Sequence, residues 1–196
     1  MERPVVVFDY DGTLVDTFAS KQAAYTRAVM ETLGLDEASR ALVEASYART
    51  SGAHRFAQLA QTAKELGVTV TDAQREEFSR RFSAYNAALA DAMPEFPSAR
   101  RVLRELAAHY DLVLTSGMPR EVLLADAKRR GLAAYFLRVE GGDKSATLDR
   151  LRAEGRRVVL MVGDTPHDAS VADSRQVPFH RVSSDADLAR LLEVLL

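Results

Sequence analysis

Val5-Val6-Val7-Phe8-Asp9-Tyr10-Asp11-Gly12-Thr13-Leu14-Val15-Asp16-Thr17 sets an unbroken apolar run directly against a run rich in acids and hydroxyls. An apolar run without alternation reads as a strand buried on both faces, the kind used by a parallel sheet covered with helices. Two further runs share the form: Leu112-Val113-Leu114 runs into Thr115-Ser116-Gly117, and Val158-Val159-Leu160-Met161-Val162 runs into Gly163-Asp164. All three polar clusters then fall at the carboxyl ends of strands. Between and after them, Ala99, Val102, Leu103, Leu106 and Tyr110, and later Leu188, Leu191, Leu192 and Leu195, recur at helical spacing. The order is β-α-β, and the expected class is α/β with a parallel sheet.

From about Thr17 to Met93 the character changes. Ala23 to Leu33, Ala38 to Ala48, Phe56 to Leu66 and Gln74 to Leu89 read as helices, with Thr71 and Gln74 spaced as a capping box. Met93-Pro94-Glu95-Phe96-Pro97 disfavours helix continuation. The expected organisation is an α/β core from 1–16 and 94–196 interrupted by an all-helical insertion over 17–93.

A chain of 196 residues with 47% hydrophobic and 28% charged residues can bury a core, and it is too short for two large domains. With 28 acidic and 26 basic residues the net charge is −2, without the basic excess expected of a protein that binds a nucleic-acid polymer or an anionic membrane. The absence of cysteine excludes disulfides, a thiolate nucleophile and sulfur-ligated metals. No signal-peptide pattern opens the chain, and no run approaches the roughly 18 apolar residues of a membrane span. A soluble cytoplasmic protein, monomer or homodimer, is expected.

The acids carry the chemistry. Asp9 and Asp11 project from one strand end, and Gly12 permits a tight turn that exposes backbone N–H groups to an anion. Asp164 and Asp168 follow the third strand at the same edge. Four crowded carboxylates repel one another unless a divalent ion neutralises them, and an all-oxygen donor set selects a hard cation such as Mg2+. Taken singly, each pair also has a plainer reading, as a solvated acidic turn or as helix N-terminal carboxylates. Thr115, Ser116 and Gly117 supply a hydroxyl and turn amides, and Lys144 supplies a point charge, so the set matches what a transferring phosphoryl group requires.

In this order the clusters resemble the haloacid dehalogenase (HAD) superfamily: a D-x-D-G-T-L-V-D-T motif, a strand ending Thr-Ser-Gly, a later Lys, and a strand ending G-D-x-x-x-D. The likeness spans essentially the whole chain. It implies a modified Rossmann-like core with an inserted helical-bundle cap, as in the phosphoglycolate-phosphatase-like branch. It further implies Asp9 as nucleophile through an aspartyl-phosphate, and Asp11 as general acid and then base. Thr115 and Lys144 would hold the phosphoryl oxygens, with Ser116 and Gly117 beside them. Mg2+ would be held by Asp9, the Asp11 backbone carbonyl and Asp164, with Asp168 bound directly or through water. The chain departs from the branch at Asp173-Ser174-Arg175-Gln176, where small, Ala-Gly-like residues are usual.

The expected activity is Mg2+-dependent hydrolysis of a small phosphorylated metabolite: phosphoglycolate, a sugar phosphate or a nucleotide monophosphate. A phosphomutase of the same fold, and a non-catalytic phosphate-metabolite binding module, are the alternatives. In the insertion, Arg49, His54 and Arg55 flank a break at Gly52 and are candidates to meet an anionic group of the substrate.

Overall fold

The computed structural model describes residues 3–51, 53–89 and 92–196. The chain divides into two units, one running to Asp16 and again from Glu95 to Leu196, the other Thr17–Pro94. Strand β1 (Val5–Asp9) opens the first. The second contains helices α1 (Phe18–Leu33), α2 (Arg40–Thr50), α3 (Arg55–Leu66) and α4 (Asp72–Leu89). The chain then returns through α5 (Ala99–Ala107), β2 (Asp111–Ser116), α6 (Arg120–Arg129), β3 (Arg138–Gly141), α7 (Lys144–Ala153), β4 (Val158–Gly163), α8 (Pro166–Asp173), β5 (Phe179–Arg181) and α9 (Asp185–Leu195).

The sheet is wholly parallel in the order β3-β2-β1-β4-β5. Every residue of β1 is buried, which is why its run does not alternate. The α/β architecture anticipated from the three apolar runs is the one observed, and these runs form the central strands. Two strands carried no such signal: Arg-Val-Glu-Gly at β3 and Phe-His-Arg at β5 are short, polar and half-exposed at the two edges. Strand order turns away in both directions from β1 and β4, which places a topological switch point at their carboxyl ends, where open α/β sheets form their ligand crevices. The register sets Asp9 beside Thr115 and Phe8 beside Val162, so the polar clusters after β1, β2 and β4 emerge side by side.

The helical unit has its own core, in which Tyr25 packs against Tyr47, Phe78 and Phe82 with ring centroids 5.0, 5.5 and 5.8 Å apart. Thr71 and Gln74 form the anticipated capping box before α4: Gln74 N–H donates to Thr71 Oγ1 at 3.2 Å, and Thr71 N–H to Gln74 Oε1 at 3.0 Å. Helix α1 begins a turn earlier than its apolar pattern. Gly52 lies outside the described residues.

Candidate active site

Asp9 is the last residue of β1 and is buried. The chain then turns sharply, because the Tyr10 carbonyl accepts from the N–H groups of Thr13, Leu14 and Val15 at 3.3, 2.9 and 3.2 Å. Gly12 N–H closes the turn on the Val15 carbonyl at 2.8 Å. Gly12 has φ +79°, and a Cβ there would stand 2.3 Å from Asp164 Oδ2, so only glycine lets this backbone lie against the second acid. Asp11 is half-buried on this turn.

On the neighbouring strand, Thr115 is buried with Oγ1 3.5 Å from Thr147 Oγ1. Ser116 Oγ accepts from Met118 N–H at 3.3 Å, and the Ser116 carbonyl accepts from Gly142 N–H at 2.8 Å, so Ser116 ties the start of the loop around Gly117 both to the loop itself and to the residue after β3. Lys144 is the first residue of α7, whose N-cap Asp143 accepts from Ser145 N–H at 2.8 Å. Its ammonium is carried inward to 2.8 Å from Asp9 Oδ1 and 2.5 Å from Asp168 Oδ1.

Beyond β4, Thr165 and Asp168 form a capping box at the start of α8, with Pro166 in the first helical position. Asp168 Oδ2 accepts from Thr165 N–H at 3.0 Å and from its hydroxyl at 2.5 Å. Both Asp168 oxygens thus bond protein groups. Asp9, Asp164 and Asp168 each offer an oxygen within 4.8 Å of the others, and Asp164 Oδ1 is buried with no hydrogen-bond partner.

A family model for haloacid dehalogenase-like hydrolases matches residues 4–174. The chain belongs to that family. Among solved structures, the HAD-like fold is similar to that of a predicted phosphoglycolate phosphatase from Haemophilus somnus (TM-score 0.75, 20% identity, covering 100% of this chain and 99% of that one). It is similar also to a haloacid dehalogenase-like family hydrolase from Streptococcus pneumoniae (0.73, 19%, 98% and 97%). A third is a HAD-superfamily hydrolase, subfamily IA, variant 1, from Geobacter sulfurreducens (0.64, 21%, 99% and 97%). No curated protein matches the sequence.

In this HAD-like hydrolase the buried charges constrain one another. Burial pushes the Asp9 carboxyl well above the ordinary carboxylate range; the Lys144 ammonium opposes this, while Asp168 and Asp164 reinforce it. Asp164 is raised as well, by burial first and with Asp168 adding to it. Burial disfavours the Lys144 ammonium, yet Asp9 and Asp168 outweigh it and hold the amine charged beyond its usual range. A second cation would relieve the carboxylate crowding that remains.

The structure therefore brings together Asp9, Thr115, Lys144, Asp164 and Asp168, all within one unit, with Asp11 on the adjoining turn. The group able to share one ion contains Asp9, Asp164 and Asp168 and not the Asp11 carboxylate. In the helical unit each candidate has a partner of its own. Arg49 pairs with Glu65 at 2.7 Å, and Arg55 bonds Ser79 at 3.3 Å and Ser83 at 2.7 Å. His54 is the N-cap of α3, its Nδ1 accepting from Phe56 N–H at 3.4 Å. Thr165 was missed, though Thr-Pro-x-Asp at a strand end is itself a helix-start signature. Tyr10 bonding Asp126 was missed because no local pattern links residues so far apart. Among the described residues no helix is long and apolar enough to cross a membrane.

Proposed function

We propose that this HAD-like hydrolase is a Mg2+-dependent phosphatase that cleaves small phosphomonoesters of the class of phosphoglycolate, sugar phosphates and nucleotide monophosphates. One observation carries the reading: the Asp9 carboxylate, buried at the centre of the sheet edge, is held by Lys144 at 2.8 Å, with an unsatisfied carboxylate oxygen, Asp164 Oδ1, beside it. A buried oxygen without a donor is costly unless something positive faces it. The donor set is all oxygen, which fits Mg2+. Asp9, Asp164 and the Asp11 backbone carbonyl would hold the ion, with Asp168 reached through water because both its oxygens are engaged. When bound, the ion supplies positive charge that lets an anionic nucleophile approach an anionic phosphate.

Asp9 attacks phosphorus as the ester P–O bond breaks, and Asp11 gives its proton to the departing alkoxide. Asp11 then takes a proton from water as that water attacks the aspartyl-phosphate, releasing phosphate and restoring the Asp9 carboxylate. Lys144 orients Asp9 and, with Thr115 and the amides after Ser116, stabilises the phosphoryl oxygens where charge spreads in the transition state.

The test is release of inorganic phosphate from a panel of phosphomonoesters, with Mg2+ and with a chelator. Release that requires Mg2+ and is lost in Asp9→Asn is expected; release that persists in Asp9→Asn, or none from any ester, overturns the proposal.

A further inference from the structure

The residue between the two acids of the D-x-D motif is not a spacer. Tyr10 is buried, and its hydroxyl donates to Asp126 Oδ2 on α6 at 2.6 Å, across 116 positions of sequence. The carbonyl of the same residue collects the three N–H groups that make the turn carrying Asp11. One residue therefore ties the turn to itself through its backbone and to a helix through its side chain.

That helix is itself fixed. Arg120, its first residue, donates from Nε to the Val139 carbonyl of β3 at 3.1 Å. Asp126 also accepts from Arg130 Nε at 3.1 Å and from Arg129. Although burial acts the other way, the Tyr10 hydroxyl and the two guanidiniums hold the Asp126 carboxyl below its usual range. Helix α6 begins four residues after Ser116, directly beyond the loop proposed to hold the phosphoryl oxygens. The Tyr10–Asp126 bond is thus a strut between the turn that carries Asp11 and the helix that anchors the Thr115-Ser116-Gly117 loop.

We propose that Tyr10 and Asp126 are positioning residues, whose hydrogen bond holds Asp11 in register with the phosphoryl-binding loop. The inference rests on the phosphatase reading for its effect on turnover but not for its effect on the turn. Loss of alignment between reacting groups lowers turnover far more than it weakens binding.

The experiment compares wild type, Tyr10→Phe, Asp126→Ala and the double variant in steady-state kinetics and in amide hydrogen exchange. In Tyr10→Phe, kcat is expected to fall about three- to tenfold with KM within about twofold, as for misplaced catalytic groups. Exchange at Thr13, Leu14 and Val15 is expected to quicken, and the double variant to lose no more than Asp126→Ala alone, because that variant already removes the Tyr10 bond along with those to Arg129 and Arg130. Unchanged kcat, unchanged exchange at these amides, or additive losses overturn the proposal. If Tyr10→Phe does not fold, Asp126→Ala carries the same comparison. If wild type releases no phosphate, the phosphatase reading fails alone and the exchange rates still decide the strut.

Discussion

Lys144 and Asp168 form an ion pair 2.5 Å long in which the carboxylate is wholly buried, and the same ammonium lies 2.8 Å from Asp9. Asp168 is in turn locked by Thr165, so the chain of contacts runs from a helix cap through an ammonium to the proposed nucleophile. Lysine is suited to this place because one compact charge can serve two carboxylates, one at the end of β1 and one in the first turn of α8.

Removing the ammonium leaves two buried carboxylates facing each other. Lys144→Met is expected to lower unfolding free energy by about 3 kcal/mol or more in the presence of a chelator, the range for breaking a buried pair from one side. Urea unfolding measures it; a loss below about 1 kcal/mol would show that the pair does not hold the site.

Gly12 is expected to tolerate no side chain. A Cβ would stand 2.3 Å from Asp164 Oδ2 on a backbone at φ +79°. The conformation alone costs a non-glycine residue about 1–2 kcal/mol, and Asp164 must also move. Gly12→Ala is expected to lower the urea midpoint and to abolish Mg2+-dependent phosphate release; a variant as active as wild type would show that Asp164 need not sit there.

Gln176 has φ +55°, alone among non-glycine residues described, in the turn that ends α8, where Val177 N–H donates to the Ala172 carbonyl at 3.0 Å. This is the end-of-helix position that glycine usually fills. Gln176→Gly is expected to stabilise by about 0.5–1 kcal/mol, the difference between left-handed strain and the entropy of glycine. Thermal unfolding with no gain would contradict it.

Tyr25 confers an alkaline limit. Burial pushes its phenol from 10 up to about 12, with the Thr62 hydroxyl acting downward and Glu65 upward. Below pH 10 the phenol is neutral folded and unfolded, and its contribution is fully present. Between about pH 10 and 12 the unfolded chain ionises first, so stability is lost as pH rises, by about 2–3 kcal/mol over the window. Urea unfolding at pH 9 and pH 11.5 should show a steeper loss in wild type than in Tyr25→Phe; equal losses would place the phenol at its ordinary value.

The central strands, the helical insertion and the acids at the strand ends were legible in the chain because each is a local pattern: β1 is buried on both faces, so Val5 to Phe8 need not alternate, and Thr71 with Gln74 lie within one helical turn. β3 and β5 were not, since an edge strand buries one side only and Arg138, Glu140 and Arg181 can face water.

By itself the sequence determined which side chains reach the carboxyl edge of a parallel sheet, because alternation, strand length and turn residues act over a few positions. Only the tertiary structure decided how they divide their work. Lys144 is shared by Asp9 and Asp168 while Asp164 Oδ1 is left bare, and Tyr10 reaches Asp126. These partners come from different crossovers of the sheet, and a contact between segments far apart in the chain is set by strand order and register, which leave no trace in local spacing.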